Sequence, residues 1–213
     1  MVTTTSNNIV TNTWVKATWE EFLVCANSNK DKAEILYYDQ GYLRIEMASL
    51  GSAHSQDNSI ISTVIVLYCA LKSIRIKEFT NGSFCQPGIR ECQPDLAFYL
   101  GNDFVFPPHN NSPVDINQQG APNLVVEIGS SSFADDLGRK RLLYEQLGVA
   151  EYWVVNVAEG EVIAFAIADG GSRTIKQSQV LPGLAISLVE EALSKSKNED
   201  DGAITRWLIG CWS

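Results

Sequence analysis

Apolar positions divide the chain into short alternating runs and a few stretches with helical spacing. Residues 60, 61, 64, 65, 68 and 71 are apolar along one helical face, which predicts a helix over 52–73. Its later two-thirds would be buried, its polar first turn would carry His54 and Asp57, and Ser52 or Ser55 could cap its start. An earlier helix opens at "TWEEF", where Thr18 can cap and Glu21 stands three residues on, the spacing of a capping box. "AEILYYDQGYLRIEMA" (33–48) sets two β-rich runs around Asp39-Gln40-Gly41, a hairpin. Short β-like runs follow at 74–80, 83–86 and 92–100, and the Pro-, Asn- and Gln-rich segment 101–120 reads as an excursion loop.

"NLVVEI" (123–128) is the central strand, bounded by Pro122 and Gly129, and a helix from about 134 to 147 stops at Gly148. "EYWVVNV" and "EVIAFAI" flank Ala158-Glu159-Gly160 as a second hairpin. "SLVEEALSKS" is amphipathic, and the tail "RWLIGCWS" is too apolar to hang free. The order of elements predicts an α/β protein with a central mixed β-sheet flanked by α-helices.

At 213 residues, 45% hydrophobic and 19% charged, the chain suits one folded domain over 1–213, with a short N-terminal tail and an apolar C-terminal tail. The start, "MVTTTSNNIV", has neither the basic nor the apolar region of a secretory signal. The longest apolar stretch, 60–71, is too short to span a bilayer, so no membrane is expected as partner. Five cysteines without close pairing or zinc-like spacing suit a reducing cytoplasm. A net charge of -9 argues against a broadly basic nucleic-acid surface, although "EEALSKSKNEDDGA" (190–203) takes a disproportionate share of the acid.

Glu127 changes this picture. A carboxylate in the middle of an apolar strand must be paired, bind a metal or take up a proton. Asp95 repeats the arrangement, with Pro94 before it and Leu96, Ala97 and Phe98 after it. Two acids on neighbouring strands could converge on Mg²⁺ or Mn²⁺, which would polarise a phosphate oxygen and activate a water. Each residue also has a plainer reading. Asp95 could end a turn, and Glu127 could pair with a lysine or arginine. Asp136 to Lys140 and Asp135 to Arg139 have the i,i+4 spacing of a solvated helix face. Glu46 alternates with Ile45 and Met47 and could face solvent, and His54 could be structural. No P-loop, dinucleotide fingerprint or Ser-His-Asp nucleophile is present.

"QPDLAFY", "LVVEIGSSS" and "DLGRKRLLYEQLGVAEYWVV", with "GYLRIEMASLGSAHSQDNSII" upstream, together resemble the PD-(D/E)XK restriction-endonuclease-like superfamily, and within it the Uma-type endonucleases. The resemblance covers roughly residues 15–190. It implies a restriction-endonuclease-like core and metal-dependent hydrolysis of DNA phosphodiester bonds, in a homodimer when both strands are cut. Asp95 and Glu127 would hold Mg²⁺ or Mn²⁺ with the Ile128 carbonyl as a further ligand, and Lys140 would stabilise developing negative charge. Glu46 and His54 would also face the site. Two positions depart from the family pattern: Gly129 stands where E-x-K would place its lysine, which makes Lys140 the replacement, and Asn156 stands where relatives carry Asp. The alternative is a nuclease fold without catalysis, kept as a DNA-binding or protein-interaction module.

Overall fold

The structure is a computed structural model that describes residues 11–28, 34–49, 51–129 and 132–213. The strands begin with β1 (Val15–Lys16), β2 (Glu34–Asp39), β3 (Tyr42–Met47), β4 (Ile76–Thr80), β5 (Phe84–Gln86) and β6 (Arg90–Cys92). They continue with β7 (Leu96–Leu100), β8 (Val114–Asp115), β9 (Leu124–Gly129), β10 (Glu151–Asn156), β11 (Glu161–Ala168) and β12 (Gly171–Ile175). The helices are α1 (Trp19–Ser28), α2 (Ser52–Leu71), α3 (Ile116–Gln119), α4 (Phe133–Asp135), α5 (Arg141–Leu147), α6 (Ile186–Ser196) and α7 (Asp201–Trp212). A wide π-helical turn, Asp136–Lys140, joins α4 to α5.

The strands form two mixed sheets where one was expected. The first runs β1-β3-β2-β6-β5-β8 and the second β12-β11-β10-β9-β7-β4. In the first sheet β5 and β8 are parallel; in the second β9 and β10 are parallel, and all other pairs are antiparallel. The stretch 92–100 is therefore not one strand. The chain leaves the first sheet at Cys92 and enters the second at Leu96, and Pro94, which cannot donate to a ladder, lies in the crossing.

Residue alternation explains the layers. On β3, Leu43 and Ile45 point outward onto Phe22 of α1, while Arg44 and Glu46 point between the sheets. On β9, Leu124, Val126 and Ile128 join the core beneath α2, α6 and α7, and Val125 joins a second core between the sheets and α5. Glu127 shares the Val125 face.

Local chemistry sets several boundaries. The Thr18–Glu21 capping box is closed in both directions, at 2.8 and 3.2 Å. Gln40 and Gly41 both have positive φ, as a two-residue hairpin requires. Gly148 ends α5 in the left-handed conformation. The start of α2 differs from expectation: Gly51 is its cap residue, and neither Ser52 nor Ser55 supplies a side-chain bond there. The excursion 101–120 also holds the short elements β8 and α3, where the Asp115 side chain accepts from Asn117 N. The apolar tail belongs to α7, which packs Ile204 and Leu208 into the helical core. Among the described residues, no helix is long and apolar enough to cross a membrane. The expected N-terminal tail falls mostly on residues 1–10, outside the described ones.

Candidate active site

β7 and β9 are antiparallel neighbours in the register Leu96↔Val126. Continuing it by one residue sets Asp95 opposite Glu127, on the face between the sheets. The amide of Ile128 runs past the end of the β7 ladder, and Asp95 Oδ2 accepts its hydrogen at 2.7 Å. The other Asp95 oxygen, Oδ1, lies 3.2 Å from His54 Nε2 in the first turn of α2. That hydrogen bond raises the His54 pKa above its ordinary value; partial burial opposes it, and the charges of Asp95 and Asp57 add to the rise.

Glu127 is buried, and two phenols and an ammonium answer its charge. Tyr144 donates to Oε1 at 2.6 Å. The Tyr37 hydroxyl lies 3.1 Å from the same oxygen and 3.2 Å from the Gln93 carbonyl, so its one proton serves two acceptors. Lys140 Nζ is 4.0 Å away and is held more closely by Glu46 Oε2 and Asp136 Oδ1, both at 2.8 Å. It also stands 4.3 Å over the Tyr37 ring. Arg44 Nε pairs with Glu46 Oε1 at 2.5 Å and with Asp135 Oδ2 at 3.3 Å, and Trp14 Nε1 donates to Asp135 at 2.9 Å.

Gly129 and the wide turn put Lys140 there. A β-carbon on Gly129 would lie 2.5 Å from Asp136 Oδ2 and 3.1 Å from Phe133 Cα. The position where E-x-K would carry lysine is thus filled by the start of the following helix. Inside the π-helical turn Gly138 takes φ -103 and ψ -105, a kink that turns both Asp136 and Lys140 inward. Lys140 is only 1% exposed and Asp136 fully buried, so their i,i+4 pair is an interior one and not the solvated helix dressing its spacing suggests. Asp135 and Arg139 do not pair; Arg139 stacks over Trp14 and Tyr42 at 4.4 and 4.1 Å. Glu46 is buried, and on β3 it is Met47 that faces solvent. Asn156 caps its own hairpin turn, accepting from Ala158 N at 3.2 Å.

Two cations, Arg44 and Lys140, thus face four carboxylates, Glu46, Glu127, Asp135 and Asp136, with Asp95 beside them. Burial pushes the Glu127 pKa well above the usual carboxylate range; Lys140 opposes the shift, and the charges of Asp95 and Asp136 add to it. Asp136 is raised by the same desolvation, again against Lys140. For Lys140, burial alone favours the neutral amine, but Glu127, Asp136 and Glu46 outweigh it and hold the ammonium charged. The surplus negative charge has two outlets, a proton on Glu127 or an added cation.

Asp95 and His54 open onto a cleft of about 540 Å³, walled on α2 by Ser55, Asn58, Ser59 and Ser62 and across from it by Asn81 and Gln93. Among the described residues no group of three or more His, Cys, Asp or Glu side chains is placed to hold a metal. Asp95 lines this cleft and Glu127 and Ile128 do not; a cation held between Asp95 and Glu127 would draw on two carboxylates, a backbone carbonyl and water, a donor set that suits Mg²⁺. Sequence reasoning picked Asp95, Glu127, Lys140, Glu46 and His54, and the structure brings all five into one connected cluster. It missed Arg44, Asp136, Tyr37 and Tyr144. The alternation of β3 offered a signal for Arg44, which shares a face with Glu46; the two tyrosines look like ordinary core aromatics.

Mixed sheets flanked by helices, with paired acids where adjoining strands converge, define a restriction-endonuclease-like nuclease fold. The chain belongs to the Uma2 family, described as "Putative restriction endonuclease", whose family model matches residues 19–198. Among solved structures it is similar to one described as a "putative nuclease belonging to DUF820" from Anabaena variabilis ATCC 29413. The TM-score is 0.58 at 17% identity, covering 83% of this chain and 99% of that one, a likeness of fold. No curated protein sequence matches.

Proposed function

We propose that the protein is a metal-dependent endonuclease that hydrolyses DNA phosphodiester bonds. The observation that carries this reading is the convergence of Asp95 and Glu127 from adjoining strands, within a cluster whose carboxylates outnumber its cations. Asp95, Glu127 and the Ile128 carbonyl would hold Mg²⁺ or Mn²⁺, which would supply Lewis-acid polarisation of the scissile phosphate and a more acidic bound water.

The chain's own residues have distinct tasks. Tyr144 and Tyr37 fix the Glu127 carboxylate, and the Ile128 amide fixes Asp95. Lys140, kept charged by three acids, contributes positive potential next to Glu127 from inside the protein. His54 stands at the cleft wall, where it orients Asp95 and can contact substrate. Cutting both strands of a duplex needs two such sites, which a homodimer would supply.

The burial of Lys140 also favours a second reading, a nuclease fold that binds without cutting, because its ammonium is already matched by Glu46 and Asp136. Nicking of supercoiled plasmid with and without Mn²⁺ separates the two. The endonuclease nicks only with metal, and Asp95→Ala removes the activity. Metal-independent nicking, or none by the unaltered protein, overturns the reading.

A further inference from the structure

The excursion between β7 and β8 travels the length of β4. It leaves beside the strand's start, where Gly101 N donates to Arg75 O at 2.9 Å, and rejoins past its end, where Val114 N donates to Ser83 O at 2.8 Å. On the way it presents Phe104 and Phe106 to Arg75, whose guanidinium carbon stands 4.0 and 4.6 Å from the two ring centroids. Arg75 Nη1 donates to the Phe104 carbonyl at 2.7 Å, which fixes the stack. Lys77 Nζ lies 6.0 Å from the Phe106 ring. Phe106 is nevertheless 57% exposed and neighbouring Val105 68%. Of the acids adjoining this patch in sequence, Glu78 points to the other face of β4, and Asp103 is exposed in the loop.

Beyond Phe106 the same excursion walls a cavity of about 680 Å³ with Pro108, Asn110 and Asn111. This cavity shares Glu34, Asn81 and Gln93 with the Asp95–His54 cleft. The two cavities thus run together from Asp95 past Asn81 and Phe79 to Pro108, two residues beyond Phe106. Their described lining mixes amide, hydroxyl and acidic side chains with apolar ones such as Ile35, Leu36 and Phe79; it includes His54 but no lysine or arginine. A polyanion lying there must have its charge met elsewhere, and Arg75 and Lys77 stand against Phe106, two residues before Pro108. From Asn81 to Arg75 is about 20 Å at strand rise, the length of about six nucleotides at duplex spacing.

We propose that Arg75, Lys77 and Phe106 form an accessory anchor for a single DNA strand that leaves the cleft. The two cations take phosphates, and the open side of the Phe106 ring takes an unpaired base. The choice of DNA as occupant rests on the nuclease reading; the surface itself rests on its own charge and aromatic exposure. An exposed ring beside cations is the arrangement on which unpaired bases stack.

The test is fluorescence anisotropy in EDTA, where no cutting occurs, with a labelled oligodeoxythymidylate and a duplex of equal length. The full chain should bind the single strand more tightly, with a salt slope of about -1.4 for two phosphate contacts. Lys77→Gln should halve that slope. Phe106→Ser should weaken single-strand binding about tenfold and leave duplex binding within twofold. Both residues are exposed, so folding is not at risk; Arg75→Lys, which keeps the charge, should leave the salt slope unchanged. No single-strand binding by the unaltered chain, or binding that neither substitution changes, overturns the anchor. A loss of self-association in Phe106→Ser with unchanged DNA affinity also overturns it and assigns the surface to a protein contact. Asp95→Asn should keep this binding and lose nicking. Anchored binding by a protein that never nicks sinks the nuclease reading alone.

Discussion

Asp136 occupies the space that a side chain at position 129 would need, since a β-carbon on Gly129 would come within 2.5 Å of its Oδ2. Restoring the lysine of an E-x-K pattern by Gly129→Lys should therefore not rescue or strengthen activity. It should displace α4 and the Asp136–Lys140 pair. A loss of about 1–3 kcal/mol is expected from overpacking alone, read by urea denaturation, and Gly129→Ala should show the same sign. A Gly129→Lys protein as stable and active as the original would show that the helix start can yield.

Lys140 holds three buried acids together, so its removal should be a stability event before it is a catalytic one. Lys140→Met leaves Glu46, Asp136 and Glu127 without their shared cation and should cost about 3–5 kcal/mol at neutral pH. The cost should shrink at pH 5, where Glu127 and Asp136, both raised by burial, can protonate. Chemical denaturation at the two pH values checks both statements. Equal losses at both would mean that the acids are not ionised in the native cluster.

Tyr144 donates to Glu127 at 2.6 Å and so favours the charged carboxylate. Tyr144→Phe should raise the Glu127 pKa further. If that carboxylate must be ionised to hold a cation, the pH midpoint of Mn²⁺ binding should move up, as should the acid limb of the nicking profile. Calorimetric titration with Mn²⁺ over a pH series reads the first without any need for turnover.

Burial lifts the Glu91 pKa to about 7. Its folded pKa lies above the unfolded one near 4.5, so the stability it allows is intact at low pH and lost as pH rises through about 7. Glu91→Gln should raise stability at pH 8, by about 1–3 kcal/mol after allowance for solvent screening. At pH 4 it should change little. A thermal melt series from pH 4 to 8 settles the sign.

What the sequence discloses here is whatever is local. The Thr18–Glu21 box, the Gln40-Gly41 turn and the Gly148 stop each need only a few neighbouring residues, and all three are present as read. The division into two sheets was hidden because it turns on a three-residue crossing at Gln93–Asp95 within what looks like one β run. The short strands β6 and β8 carry too few residues for alternation to declare itself. At the site, the acids stood out because charge on an apolar strand is costly. Asp136 did not, because i,i+4 spacing to a lysine reads the same whether the helix face is wet or dry. Tyr37 and Tyr144 were invisible as site residues, since nothing in a sequence tells a phenol that touches a carboxylate from one that merely fills volume.

Tyr37 belongs to the first sheet and Glu127 to the second, and the one hydroxyl between them also reaches the Gln93 carbonyl where the chain crosses over. The proposed active site is therefore the weld line of the molecule. Any breathing that parts the two layers would dismantle the anionic cluster at the same moment, so hydrogen exchange at the Ile128 amide, held by Asp95, should proceed only through global opening.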